Sequence, residues 1–338
     1  MKAEKFTRRF GVLLAAVCVA LLLMAGTVSA AAWPDKSKVL TIYVASGAGG
    51  GSDMAGRAIA AVLEKELGIK VVVVNKGGGG SQIGVTEFLA KSGTDGYTVL
   101  CANTPVTISP YVDPDRKATY NLGKDIQLAV GYGFSPCAVA VKKGGKFKSL
   151  KDLVEAAKAN PGKIKGTASG PMVQNDLAMV LLNKAAGINI ARMYFDQQGE
   201  QRAALLGGHV DAEFNNDFEL IAGNKSGEIE TLAVFDTVPA AALPGVKTSE
   251  SLGYKVNMAA GYGLGFKTGT PQEVLDAVEA AVTRGSKKPE MVESFQKIGL
   301  GIRVMTGKQY SVYWKGIEDV VREVVFDMKK EKAAAAKK

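Results

Sequence analysis

The sequence predicts an α/β protein in which two lobes share a cleft. Its 338 residues correspond to about two domains, at ~150 residues for each. With 47% hydrophobic and 22% charged residues, the chain is globular, which excludes disorder or a coiled coil as a description of the whole. From Val39 onwards short apolar runs alternate with helical patterns, and this alternation is typical of parallel strands covered by helices.

The first unit has three strands and two helices in βαβαβ order. Apolar runs predict strands at 39–45, 70–74 and 97–102. A glycine-rich turn, Gly47–Gly51, follows the first strand, and Ser52 or Asp53 can then cap a helix that ends at Gly68. A second glycine loop at 75–81 leads into a helix over 83–91. This order predicts half of a parallel sheet.

A second unit begins near Cys137. Its predicted strands are 138–141, 163–168, 190–195, 210–214, 232–235 and 262–266. Helices are predicted at 149–159, after Pro171, from Pro271 and from about Lys308, because apolar residues recur there at helical spacing. No long linker separates the two units, so we expect them to share a cleft.

Residues 1–30 are predicted to be a signal peptide. Basic residues near the start precede an uncharged run, Phe10–Gly26, and the small residues Val28-Ser29-Ala30 form a cleavage site. The run is just long enough to span a bilayer, so an uncleaved anchor is the alternative. We expect cleavage after about Ala30 and a periplasmic protein.

Most of the positive charge lies at the two ends of the chain. Removing residues 1–30, with four basic residues and one acidic, lowers the formal charge from +9 to +6. The tail Lys329–Lys338 holds +4 of that remainder, which leaves the folded body near +2. The charge therefore predicts no nucleic-acid partner.

Two glycine-rich loops, each between a predicted strand and a helix, are the main candidates for a binding site. Glycine lets backbone N–H groups approach a ligand closely, and we expect Gly49 and Gly50 to supply such amides. The helix start adds a partial positive field. One such loop alone is more often a tight turn. Two in succession, at the carboxyl ends of neighbouring strands, indicate an anion site.

The loops match neither of the common nucleotide-binding motifs. The third glycine position of a dinucleotide fingerprint that starts at Gly47 is occupied by Ser52. Neither loop ends in the Gly-Lys-Ser/Thr of a P-loop. We therefore expect a small carboxylate as the ligand and no cofactor.

Catalytic and metal-binding patterns are weak. His209 is the single histidine, which excludes a multi-histidine metal site, and it precedes a predicted strand in a turn. Asp211 and Glu213 alternate on that strand, but Asp211 fits a turn or cap better than an acid–base pair. No G-x-S-x-G nucleophile elbow occurs. Cys101 and Cys137 can pair in an oxidising compartment or can be two small buried hydrophobic residues.

Eight short motifs follow one another along the chain. They are Ala48–Asp53 with Arg57, Asn75–Gly84, Asp95–Thr98, Pro161–Lys163 with Ser169–Gly170, Leu205–Asp211, Leu243–Gly253, Tyr262–Leu264 and Gly269–Pro271. In this order they resemble motifs of the extracytoplasmic solute receptors of tripartite tricarboxylate transporters, the TctC-like or Bug-type family. The family's D-G-Y-T, for example, is present at Asp95–Thr98. The likeness extends from Trp33 to about Val321.

The resemblance implies a type II periplasmic-binding-protein fold, with two α/β lobes hinged by two crossings of the chain. Lobe one would comprise residues 31–134 and 258–338, and lobe two residues 135–257. Ligands of the family are typically small carboxylates, held by backbone amides and ordered water from the two lobe-one loops. The implied partners are the integral-membrane permease subunits of a transporter.

Three positions depart from the family pattern. Ala45-Ser46 replaces a Pro-Phe before the first loop, and Asp176 stands where a histidine is usual. At Met193–Gln197 a basic residue of the family has become Asp196. If Asp196 faces the cleft, it repels a highly charged tricarboxylate and favours a ligand with fewer charges or with a hydrogen-bond donor. The alternative is that Asp196 points to solvent.

The predicted function is that of a monomeric receptor that captures a small organic carboxylate and delivers it to a membrane permease. In lobe one the expected ligand-binding residues are Ser46, Gly47, Ala48, Gly49, Gly50, Gly51, Ser52, Ser81, Gln82, Asn103 and Thr104. In lobe two they are Ser169, Gly170, Asp196, Asn216 and Asp217. No catalytic or metal-binding residues are predicted. The alternatives are a secreted α/β enzyme and a sensor partner that presents ligand to a kinase.

Overall fold

The computed structural model describes residues 33–195 and 197–335. The predicted signal peptide and Asp196 lie outside these residues. The strands are β1 (Val39–Val44), β2 (Lys70–Asn75), β3 (Thr98–Asn103), β4 (Ile126–Lys142), β5 (Lys165–Ala168), β6 (Ala191–Tyr194), β7 (Ala212–Asn216), β8 (Ile229–Val234), β9 (Ala259–Lys267) and β10 (Gly301–Thr306). The helices are α1 (Gly51–Leu67), α2 (Gln82–Lys91), α3 (Ser109–Val112), α4 (Leu150–Ala159), α5 (Gln174–Ala186), α6 (Gln198–Leu206), α7 (Asp217–Ser226), α8 (Gln272–Gly285), α9 (Pro289–Lys297) and α10 (Gly307–Ala335).

The strands pair in the order β2-β1-β3-β9-β4-β7-β5-β6, and β8 and β10 also pair with β4. In the first half of the sheet β1 is parallel to β2 and β3, and β9 runs antiparallel between β3 and β4. In the second half β5 is parallel to β6 and β7. Each half therefore has the parallel βαβ arrangement that the alternating pattern predicts.

Strand β4 belongs to both halves of the sheet. Its residues Ile126–Pro136 pair with β9, and β10 pairs within the same stretch. From Cys137 onwards its partners are β7 and β8. The chain returns beside this point, where Cys137 N–H donates to Met258 O and Phe235 N–H donates to Cys137 O. The two halves are thus joined at a narrow crossing of the backbone.

Helix α10 supports the first half of the sheet close to the point where β3 ends. Tyr310 and Trp314 of this helix are fully buried, and Tyr310 Oη donates to Ala102 O at 2.7 Å. Glycines make room for the Tyr310 ring, since a Cβ at Gly131 would lie 2.7 Å from its Cδ2. The packing therefore holds the end of β3, and with it Asn103, in place.

Several predictions from the sequence need correction. Helix α1 already begins at Gly51, so Ser52 and Asp53 lie in its first turn and neither is its N-cap. Strand β4 begins at Ile126, well before the predicted start at Ala138. The sequence pattern missed α3, α6, α7, α9 and β10. Cys101 and Cys137 are both buried and free, as the second of the two alternatives for them expected.

Among the described residues, no helix combines the length and apolar character that a membrane crossing needs.

Candidate functional site

One cavity lies where strands of both halves of the sheet end. Its volume is about 170 Å³. Its walls include Gly51 and Ser52 after β1, Asn103 at the end of β3, Ser169 after β5 and Asn216 at the end of β7. The remaining lining residues are Thr104, Pro105, Val106, Val173, Gln174, Asn175, Ala260 and Tyr262. Ligands of α/β proteins bind at the carboxyl ends of strands, so this cavity is the candidate site.

On one side the cavity meets the start of α1. Its N-cap, Gly50, has no side chain to bond to the first turn, so the N–H groups of Gly51 and Ser52 have no partner within the helix. The loop before the helix is held by Asp53, whose Oδ2 accepts from Gly49 N–H at 2.8 Å and from Arg57 Nε at 3.2 Å. The helix thus presents unpaired donors to the cavity, but Gly49 N–H is not one of them.

The carboxyl of Asp53 is ionised as it holds this loop. Burial raises its pKa, but the hydrogen bonds from Gly49 N–H and from the Arg57 and Asn75 side chains outweigh that effect and keep the pKa below its ordinary value. The shape of the first glycine loop therefore depends on one carboxylate.

Helix α5 begins on the opposite side of the cavity. Its N-cap, Val173, also lacks a capping hydrogen bond, and Gln174 and Asn175 of its first turn line the cavity. The Asn175 amide donates to Ser169 Oγ at 2.9 Å, while Ser169 N–H donates to Asn175 Oδ1 at 3.1 Å. Since Ser169 Oγ accepts that bond, its own hydrogen is available for a group in the cavity.

A third helix, α7, starts at the cavity with its N-cap Asn216. Here Glu219 Oε2 accepts from the backbone N–H of Asn216 at 3.0 Å and from its Nδ2 at 2.9 Å. The next residue, Asp217, is buried and accepts from Ser135 Oγ at 2.7 Å and from Phe218 N–H at 2.9 Å. Burial raises the pKa of Asp217 to about 7, although both hydrogen bonds oppose the rise.

Among the described residues, none of those that line the cavity carries a formal charge. The hydrogen-bond donors at the cavity come instead from the backbone N–H groups at the starts of α1 and α5. Hydroxyl groups of Ser52, Ser169 and Tyr262 add further possible donors. An arrangement of amide and hydroxyl donors without a charged partner suits a small anion.

The structure brings together some of the site residues predicted from the sequence. Those that line the cavity are Gly51, Ser52, Asn103, Thr104, Ser169 and Asn216. Those that lie outside its lining are Ser46, Gly47, Ala48, Gly49, Gly50, Ser81, Gln82, Gly170 and Asp217. Asp196 lies outside the described residues, so its orientation stays a prediction.

The second glycine loop lies behind the cavity wall. Ser81 Oγ donates to the carbonyl of Val106, which is itself a lining residue, at 2.7 Å. Gln82 Nε2 donates to Arg116 O at 3.2 Å. Both side chains therefore make contacts within the protein that support the wall.

Sequence reasoning missed seven lining residues, namely Pro105, Val106, Val173, Gln174, Asn175, Ala260 and Tyr262. Gln174 and Asn175 begin a helix directly after the predicted loop at Ser169–Gly170, and that position is a signal that the sequence contains. Tyr262 lies within a predicted strand, and only the pairing of β9 beside β3 brings its side chain to the cavity.

Several other polar residues that the sequence singled out have structural contacts. Asp176 accepts from Met172 N–H at 2.9 Å and from Tyr194 Oη at 3.1 Å, so it braces the loop before α5. Glu213 is buried and forms an ion pair with Arg202. Asp211 Oδ2 accepts from Lys165 N–H at 2.9 Å, so this carboxylate binds the start of β5, a distant strand, rather than a local turn or helix start.

The family of this chain follows from a comparison with known protein families. The model of the TctC family, described as tripartite tricarboxylate transporter family receptors, matches residues 55–324. The chain belongs to this family.

Individual relatives are similar to this chain over most of their length. A UPF0065 protein from the gbd 5′ region of Cupriavidus necator is 26% identical over 93% of this chain and 94% of its own. The protein BugT of Bordetella pertussis is 26% identical, over 82% of this chain and 84% of its own. The resemblance inferred from the eight motifs is thereby confirmed.

Solved structures share the fold. A TctC solute-binding protein from Polaromonas has a TM-score of 0.75 at 21% identity, covering 87% of this chain and 100% of its own. MatC from Rhodopseudomonas palustris, with bound malate, has a TM-score of 0.71 at 20% identity, covering 85% and 98%. A second R. palustris protein, with adipate, has a TM-score of 0.72 at 21% identity over the same shares. The predicted two-lobed solute-binding fold is confirmed, and family and fold are those of receptors.

Proposed function

We propose that this chain is a periplasmic receptor that binds a small organic carboxylate in the cavity and delivers it to the permease subunits of a tripartite transporter. One observation carries the proposal. The uncapped starts of α1 and α5 meet at one cavity whose described lining has no charged side chain. Backbone amides at a helix start bind a carboxylate without a basic residue.

The size of the cavity limits the ligand. Its volume of about 170 Å³ is below the ~300 Å³ at which pockets for drug-sized molecules begin. Hydrogen bonds to a charged group contribute about 1.5–3 kcal/mol each, so two or three amide donors are enough for a small anion. The malate and adipate bound to the structural relatives are small carboxylates, which supports the same ligand class.

The other parts of the proposal rest on the family and on the crossing of the sheet. We place lobe one at residues 31–134 and 258–338 and lobe two at 135–257, because β4 changes partners near Cys137. We take residues 1–30 to be a signal peptide that directs the chain to the periplasm. The receptor acts as a monomer and binds its ligand without catalysis, consistent with the receptor family to which it belongs.

A thermal-shift screen of mono-, di- and tricarboxylates tests the proposed function. A ligand at about a hundred times its Kd stabilises the folded state by about 2.7 kcal/mol, which should raise Tm by about 5 °C. The matched controls are the neutral amides of the same acids, which should leave Tm unchanged. A flat response to every carboxylate, or an equal response to an acid and its amide, contradicts the proposal.

Ligand binding should also close the two lobes about their crossing. Small-angle scattering of the receptor, with and without the carboxylate that stabilises it best, should give a smaller radius of gyration for the complex. The amide of that acid serves as the control. An unchanged radius at saturation contradicts a hinge mechanism while leaving carboxylate binding itself intact.

A further inference from the structure

The phenol of Tyr262 lies at the wall of the cavity, beside the start of α1. Tyr262 is paired with Asn103 in the register of β9 and β3, and both residues line the cavity. Side chains of directly paired residues lie on the same face of a sheet, so the two strands present both side chains on one side. A Cβ added at Gly51, the first residue of α1, would be 3.3 Å from Tyr262 Oη. The hydroxyl is therefore next to the residue that begins the helix.

This hydroxyl has no hydrogen-bond partner in the part of the chain that the structure describes. Two tyrosines of α10 differ in this respect. Tyr310 Oη donates to Ala102 O at 2.7 Å, and Tyr313 Oη donates to Ala259 O at 2.8 Å. Tyr262 is only 4% exposed. Because a buried polar group without a hydrogen bond costs free energy, an unpartnered phenol at a cavity wall indicates a partner that enters the cavity.

The phenol can serve that partner as a hydrogen-bond donor. Burial raises the pKa of Tyr262 well above its ordinary value, and the nearby acids Glu219 and Asp217 raise this pKa further. The hydroxyl therefore keeps its hydrogen at neutral pH. A ligand that satisfies it must place an acceptor, such as a carboxylate oxygen, against this part of the wall.

We propose that Tyr262 is a ligand-binding residue that donates its hydroxyl hydrogen to the carboxylate held at the start of α1. The inference rests on the proposed function. One carboxylate oxygen accepts from the backbone amides of Gly51 and Ser52, and the other accepts from Tyr262 Oη. A carboxylate has about four acceptor positions, so amides and phenol can bind it together. Since none of the described lining residues is charged, the phenol supplies part of what a basic residue would otherwise provide.

Titration calorimetry on wild type and Tyr262→Phe, with succinate, malate and adipate as probes, tests the proposal. Phenylalanine keeps the aromatic ring and removes only the hydroxyl. The affinity for each probe that wild type binds should fall at least about tenfold, the loss of one hydrogen bond to a charged group. Succinate and malate differ by one hydroxyl group. Their affinities should fall by similar factors, because the carboxylate is common to both.

The thermal stability of the ligand-free protein separates binding from a structural role. Because the Tyr262 hydroxyl has no partner among the described residues, Tyr262→Phe without ligand should keep or raise the wild-type Tm. Tyr120→Phe is the matched control. Tyr120 is 3% exposed and outside the cavity lining, and its Oη donates to Thr107 O at 3.3 Å. This variant should lower Tm and leave the affinity for every probe unchanged.

The possible failures are distinguishable. If wild type binds the probes and Tyr262→Phe binds them equally well, only this inference is overturned. A loss confined to malate also overturns it, because the phenol would then contact the ligand's hydroxyl group rather than its carboxylate. A lower Tm of ligand-free Tyr262→Phe, or a failure of this variant to fold, assigns the hydroxyl to the stability of the protein and contradicts the proposal. If neither protein binds any of the probes, the proposed function is overturned and this inference with it.

Discussion

Replacing Gly51 by valine is expected to lower the affinity for the carboxylate at least ~30-fold, or about 2 kcal/mol, while the protein still folds. A Cβ at this position would lie 3.2 Å from Phe218 Cζ and 3.3 Å from Tyr262 Oη, at the wall of the cavity. Valine branches there would fill space beside the amides of the first turn of α1. Titration calorimetry with the best ligand of the thermal-shift screen measures the loss.

Gly50→Val is the matched control, one residue away. Gly50 has a φ of −82°, which any residue adopts, and the nearest atom to an added Cβ is Gly47 O at 4.0 Å. The affinity of Gly50→Val for the carboxylate should stay within about twofold of wild type, as for other exposed substitutions. Equal losses in the two variants would show that the whole loop, rather than the start of α1, contacts the ligand. Unchanged affinity in Gly51→Val would remove the start of α1 from the site.

Asp217→Asn is expected to stabilise the protein at neutral and alkaline pH. Burial raises the pKa of Asp217 from 3.8 to about 7, so the folded state binds this proton more tightly than the unfolded state does. The resulting stability is fully present below about pH 4 and is lost as the pH rises through about 7. The difference between the two pKa values corresponds to about 4 kcal/mol. The free energy of unfolding of wild type should therefore fall by about that amount, relative to that of the variant, as the pH rises from about 4 to above about 7.

Urea unfolding of both proteins, from about pH 4 to pH 8, measures this difference. Asparagine retains an oxygen that can accept from Ser135 Oγ and Phe218 N–H, so the comparison isolates the charge. Asp276→Asn, an exposed change on α8, serves as the control and should follow the wild-type profile. If the free energies of unfolding of wild type and Asp217→Asn change with pH in the same way, Asp217 is charged in the folded state over the whole pH range.

The local sequence was sufficient to predict the elements whose apolar residues recur at a regular spacing. The first three strands lie within a residue or two of their predicted positions, because buried parallel strands appear as short apolar runs. Helix α1 ends where glycine was expected to end it, with Gly68 in the left-handed conformation at a φ of 66°. The eight motifs were sufficient to identify the family.

Elements whose apolar residues show no regular spacing form because of their contacts with neighbouring elements. Strand β4 contains Gly131, Gly133 and Pro136, which interrupt its apolar pattern, and it is extended because β9 and β10 pair with it on the first half of the sheet. Helix α7 alternates apolar and polar residues irregularly. Its start is stabilised by Glu219, which accepts a hydrogen bond from Asn216 N–H. Packing against the rest of the protein stabilises the remainder of the helix.

By itself the sequence determined the fold class and the family, because composition, periodicity and motifs are local properties. Only the tertiary structure decided which groups form the cavity. The Asp53 carboxylate bonds to Gly49 N–H, so the open donors are those of Gly51 and Ser52. Asn175 and Tyr262 come from distant parts of the chain. Their place at the site depends on strand pairing and helix packing, which no short stretch of sequence encodes.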